Sequence, residues 1–157
     1  MNAEVQGAGA DPDYDSLTEG AQLPECRTRI RRADLIRYCG ASGDFNVIHW
    51  NERAARAAGL PDVIGHGMLT MAHALRVVTD WVGDPGAVAE YAVRFSRPVI
   101  VPDDDDGAEL LVTARVAKKL PDHQVRIDIT ARTGADDVGW NKVLSMARAV
   151  VSLPQRT

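Results

Sequence analysis

Asp44, Asn46 and His49 lie within six residues of one another, inside Tyr38-Cys39-Gly40-Ala41-Ser42-Gly43-Asp44-Phe45-Asn46-Val47-Ile48-His49-Trp50-Asn51. A carboxylate and an imidazole can exchange protons near neutrality when burial and neighbours tune them. On opposite sides of one substrate carbon they could move protons in opposite directions, with Asn46 holding a water or fixing the loop. Asp44 and His49 are five residues apart, which on an ideal helix would separate them by about 140° around the axis. They converge only if the segment leaves helical geometry, and Gly43 supplies the backbone freedom for that exit. A capping Asp, a turn Asn and a surface His would give the same residue types.

A second candidate is Ile64-Gly65-His66-Gly67-Met68, at the start of an apolar periodic stretch. A helix N-terminus offers free N–H groups and about half a positive charge. Gly67 would let a ligand approach that backbone, as an oxyanion hole requires; a helix start whose glycines end a loop is the competing explanation. His49, His66, His73 and His123 form no HExxH or other metal-ligand run, so no metal is expected. GxGxxG, Walker and GxSxG patterns are absent, and Ser42 reads as a helix-end residue. Asp103–Asp106 lacks the spacing of a calcium loop and reads as solvated. Arg27, Arg29, Arg31 and Arg32 could meet phosphates or form a solvated face.

The elements that must position these residues follow from periodicity and breakers. Cys26–Ile30 alternates as a short strand, and Arg31–Gly40 reads as a helix with Ala33, Leu35, Ile36, Tyr38 and Cys39 on its apolar side. Asn51 is an N-cap candidate for a short helix to Ala58. Gly65–Val82 carries Met68, Met71, Ala72, Leu75, Val78 and Val82 at three- and four-residue steps, which predicts a long, largely buried helix. Val88–Val101, with a bend or edge at Pro98, then Leu110–Ala117, Val125–Arg132 and Lys142–Leu153 read as four consecutive antiparallel strands. Leu120–His123 and Gly134–Gly139 are the expected turns. The fold class is α+β, one sheet packed on the long helix. Residues 1–16 are Gly-, Ala- and Asp-rich and read as a mobile extension, leaving one domain over 17–157.

The 157 residues suffice for one core, and 45% apolar with 25% charged side chains is an ordinary globular balance. A net charge of −4 argues against nucleic acid as the main partner. Cys26 and Cys39 form no CxxC pair and read as free thiols. With no signal-like start and no membrane-length apolar run, a cytoplasmic location is expected.

Ala41-Ser42-Gly43-Asp44-Phe45-Asn46-Val47-Ile48-His49 followed by His66-Gly67-Met68 resembles the MaoC-like, or (R)-specific, enoyl-thioester hydratase/dehydratase family, over about residues 17–153. It departs at Val47, where that family's SGDxNPxH motif has proline. Trp81–Val88 and Val93-Arg94-Phe95 look like the catalytic B subunit of actinobacterial (3R)-hydroxyacyl-ACP dehydratases. The resemblance implies a hot-dog fold and a homodimer or a heterodimer with another hot-dog subunit, with the acyl tunnel near the interface. It implies Asp44 and His49 as the acid/base pair and Asn46 as an orienting residue for water or the loop. The Gly67 N–H would be the oxyanion donor, the substrate a CoA or ACP thioester of fatty-acid metabolism, and no cofactor would be needed. A non-catalytic acyl-binding or stabilising hot-dog subunit is the alternative.

Overall fold

The computed structural model describes residues 12–135 and 139–154. Strand β1 (Cys26–Ile30) leads into helix α1 (Arg32–Ser42). A 3₁₀ turn at Val47–His49 and helix α2 (Glu52–Ala57) precede the long helix α3 (Gly67–Val82). Strands β2 (Val88–Phe95), β3 (Ala108–Lys119), β4 (Gln124–Ala135) and β5 (Gly139–Ser152) complete the chain.

All five strands join one antiparallel sheet in the order β1-β3-β4-β5-β2. The expected run of four consecutive strands is therefore extended by β1, and β2 lies across the sheet from β3, beside β5. The cause is the segment between them. Beyond Phe95 the chain leaves the ladder and crosses to residues 63–65, where Gly65 N–H donates to Val99 O (2.8 Å) and Val101 N–H to Val63 O (2.9 Å). Gly134 and Ala135, expected in a turn, still pair with Trp140 and Gly139; residues 136–138 lie outside the described residues.

Alternation along the strands sends Leu110, Val112, Ala114 and Val116 of β3 and Val125, Ile127, Ile129 and Ala131 of β4 into the core. Each such aliphatic side chain contributes about 1.5–3 kcal/mol on burial. In β5 the alternation is interrupted at Ser145–Met146, where Met146 has φ +52° and the β4–β5 register shifts. This bulge brings Leu144 onto the same face as Ala147.

Helix α3 lies on that face, but not with the side that its periodicity suggested. Thr70, Ala74, Val77, Val78 and Val82 are buried, whereas Met68 is 58% exposed, Ala72 is exposed and Met71 and Leu75 are only half-buried. Apolar residues occur on more than one side of this helix, so period alone does not select the side that meets the sheet. The helix also begins at Gly67, because its N-cap His66, at φ −59° and ψ +134°, is outside the helical region. Helix α1 runs past Gly40 to Ser42 and closes at Gly43 with φ +76°; its buried residues are Leu35 and Cys39, while Ile36 is exposed. Of the expected extension, 1–11 lie outside the described residues. Tyr14 packs on the core, its hydroxyl donating to Leu120 O at 2.8 Å. No helix among the described residues is long and apolar enough to cross a membrane.

Two glycines test the backbone directly. Gly83 closes α3 at φ +76° in open space, whereas a Cβ at Gly107 (φ +70°) would collide with Ile30 O and with the Arg31 backbone. Gly83→Ala is expected to cost about 1–2 kcal/mol and Gly107→Ala roughly twice that, read as urea-unfolding free energies.

Candidate active site

The chain leaves α1 through a series of side-chain-to-backbone hydrogen bonds. Ser42 Oγ donates to Tyr38 O (2.7 Å) and accepts from Asp44 N–H (3.2 Å). Asp44 Oδ1 accepts from Asn46 N–H (3.2 Å), and Asn46 Oδ1 accepts from Ile48 N–H (3.4 Å). Such short polar side chains divert the backbone from helix into turns, and here they wind it into the Val47–His49 turn. Asp44 and His49 consequently face one another, with Asp44 Oδ2 at 4.0 Å from His49 Nε2. That separation exceeds a direct hydrogen bond, and a single oxygen placed to one side of the line could be within hydrogen-bond reach of both atoms.

His49 is held from behind. Its Nδ1 lies 2.8 Å from Ile64 O. A carbonyl oxygen only accepts, so Nδ1 carries the proton and Nε2, toward Asp44, is the atom free to exchange one. Ile64 N–H in turn donates to Ile48 O at 3.2 Å. The loop and the segment leading to α3 are thus joined through one residue, Ile64.

Gly67 is the first residue of α3, so its N–H has no carbonyl one turn earlier to bond. It lines, with His49, Ile64, Thr70, Phe95 and Leu144, a cavity of about 310 Å³. A Cβ at Gly67 would stand 3.2 Å from the Phe95 ring. The glycine keeps the helix start open to the cavity. Its φ is not in the left-handed region, so the requirement is space rather than conformation.

The fold therefore brings Asp44 to His49 and His49 to Gly67: His49 and Gly67 line the cavity, while Asp44, its side chain 51% exposed, faces His49 from outside that lining. Asn46 is exposed and shapes the loop through its cap to Ile48. His73 and His123 stand elsewhere, against Thr28 and Tyr14 respectively. Of the basic cluster, Arg27 and Arg29 pair with Glu109. Arg32 instead has a role that its place in a charge run concealed. It donates to Val101 O and to Asp62 Oδ1, both at 2.7 Å, tying α1 to the segments that flank the site.

Sequence reasoning also missed His66 as a member of the site. It is 1% exposed, its ring lies 3.8 Å from that of His49, and its Nε2 is 3.2 Å from Asp44 O. Its place beside Gly67 was the available signal, but spacing alone did not separate it from an isolated histidine. Asp44, His49 and His66 carry potential metal-ligand atoms within 4.8 Å of one another. The two rings are stacked at 25°, which aims their in-plane lone pairs nearly parallel rather than at one point about 2 Å from each. The arrangement suits proton transfer better than ligation.

An antiparallel sheet wrapped on a long helix defines a hot-dog fold domain, here with an Asp–His pair facing one another near the helix N-terminus. Residues 15–133 match the MaoC like domain, and the chain belongs to that family. It is 38% identical over 105 residues to 3-hydroxyacyl-thioester dehydratase X of Mycobacterium tuberculosis, covering 62% of this chain and 36% of that protein. A solved MaoC-like dehydratase, 38% identical, superposes with a TM-score of 0.84 over 94% of this chain and 44% of its own. The unliganded R-hydratase of Pseudomonas aeruginosa, 26% identical, gives 0.72 over 90% and 86%. The chain spans less than half the length of the first two proteins.

Two outcomes follow from this geometry. Asn46→Asp, which keeps the acceptor for Ile48, should retain stability, while Asn46→Ala should lose about 0.5–1 kcal/mol in urea unfolding. His66 and His73 are both held below their ordinary value of 6.5, chiefly by burial. Between 6.5 and the folded value the unfolded chain binds protons that the folded chain does not. Their contribution is therefore complete above about pH 6.5 and is lost as pH falls below it, so the urea midpoint should drop between pH 7.5 and 5.5.

Proposed function

We propose that this chain catalyses (R)-specific hydration of trans-2-enoyl thioesters and the reverse dehydration of (3R)-hydroxyacyl thioesters. The observation that carries this reading is the facing of Asp44 Oδ2 and His49 Nε2 at 4.0 Å, beside a cavity that also holds the free N–H of Gly67.

In hydration the water oxygen bonds to C3 as the C2–C3 double bond opens, and negative charge moves onto the thioester carbonyl oxygen. Gly67 N–H and the α3 dipole stabilise that charge; a single donor of this kind contributes about 3 kcal/mol. Asp44 and His49 take the proton released by water and deliver one to C2. In dehydration the same groups run in reverse. His49 works through Nε2, because Ile64 O retains the Nδ1 proton. Asn46 supports the pair by shaping the loop that presents it.

The carrier is CoA or an acyl carrier protein, the setting is fatty-acid metabolism in the cytoplasm, and the assembly is a dimer of hot-dog units, either identical or different. The dimer reading is supported by the position of β2 at the sheet edge, with Phe95 at its end, and by exposed Phe45 and Met68. Unpaired strand edges and large exposed apolar side chains are surfaces that partners cover.

Asp44→Asn and His49→Ala should each lower kcat for crotonyl-CoA hydration by about 10³-fold or more while leaving the circular dichroism spectrum unchanged. Variants that keep the full rate would remove both residues from the mechanism. If the wild-type chain is inactive alone but active when mixed with a second hot-dog subunit, the heteromeric form is the working one.

A further inference from the structure

We propose that His66 is a positioning residue, a neutral imidazole protonated on Nε2 that clamps the Asp44 carbonyl and backs the His49 ring. This holds the two halves of the site together, and its catalytic consequence rests on the hydratase reading above.

The tautomer follows from the partners. Asp44 O, 3.2 Å from His66 Nε2, can only accept, so Nε2 carries the proton. Nδ1 is buried and has no hydrogen-bond partner among the described residues. A proton there would be an unsatisfied buried donor on a cation, which is costly. His66 also caps the N-terminus of α3, where the helix dipole disfavours positive charge. Around the ring, Tyr38 packs in a T-shaped contact with centroids 4.8 Å apart and the Cys39 thiol is 3.6 Å from Nε2, both from α1. His49 stacks on it from the 3₁₀ turn, and from the loop Asp44 presents its backbone oxygen. The Asp44 carbonyl and the exposed Asp44 carboxylate favour the cation, and burial outweighs them. Burial accordingly holds the His66 pKa below its usual value.

The clamp has a geometric result. One end of the reacting pair, Asp44, is tied by its carbonyl to the residue that starts α3. The other, His49, lies flat on the same ring. His66 thereby sets the 4.0 Å gap and relates both groups to Gly67. Protonation of His66 in acid would introduce an unsatisfied donor and a cation against His49, and would loosen the pair.

The experiment compares His66→Gln, whose amide nitrogen can still donate to Asp44 O but does not titrate, with His66→Leu, which fills space without donating. On the wild-type full chain, ¹⁵N-imidazole NMR should give a neutral Nε2–H tautomer for His66 at pH 6. The His49 ring chemical shifts should change in the Leu variant and return in the Gln variant. With crotonyl-CoA, Leu should lower kcat about tenfold or more with KM within about threefold. Gln should stay within about threefold of wild type and flatten the acid limb of kcat against pH.

A His66 that is protonated at pH 6 or carries its proton on Nδ1 would overturn the proposal. So would a Gln variant impaired as much as Leu, or a Leu variant equal to wild type in both kcat and the His49 ring shifts. Should the Leu variant not fold, the wild-type tautomer and the Gln variant decide. If the wild-type chain hydrates no enoyl thioester, the hydratase reading fails, while the NMR arms still decide the clamp.

Discussion

The peptide groups of Ile64 connect everything that matters at the site. Ile64 N–H donates to Ile48 O, and Ile64 O accepts from the ring of His49. On either side of it, Val63 and Gly65 bond to Val101 and Val99. One extended segment is thus fixed to the reactive loop through one set of bonds and to the β2–β3 crossing through another. Arg32 reinforces the junction by bonding to both Val101 O and Asp62. An extended backbone with both edges satisfied has little freedom to drift, and the start of α3 follows directly from it.

That helix start acts electrostatically in two ways. Its free N–H groups and partial positive charge favour developing negative charge on a ligand oxygen near Gly67. The same field disfavours protonation of His66, its N-cap residue. A single dipole therefore stabilises an anion on one side and a neutral imidazole on the other. The cavity concentrates both effects because apolar side chains, among them Val99, Phe95 and Leu144, form much of its wall. Leu144 takes its place on the helix-facing side through the β5 bulge, so a local irregularity of the sheet helps to shape the site.

The outer charges contribute much less. Arg27 and Arg29 meet Glu109 across β1 and β3 with arginine side chains almost half exposed, where solvent screens ion pairs and they contribute little. Asp104 accepts from the backbone N–H groups of Asp106 and Gly107, a turn-forming role for one member of the acidic run. Packing in the sheet–helix core, not surface charge, holds the domain together.

Local chemistry made much of the protein legible from its sequence. Gly43 and the Ser42, Asp44 and Asn46 side chains act on neighbouring backbone, so the helix exit and the turn could be read there. Asn51 caps α2 through Ala54 N–H for the same reason. Alternating Val, Ile and Leu marked the strands, and period-3.6 spacing marked α3. Contacts between distant segments were not legible. Which side of α3 faces the sheet depended on the strands assembled over it. The place of β2 depended on the crossing at Val99–Val101. His66 and Arg32 gained their roles only from partners 17 or more residues away. Sequence alone determined the chemical groups and the local turns that present them. Tertiary structure decided which groups meet, because burial, ring stacking and long-range hydrogen bonds exist only once separated segments share one interior.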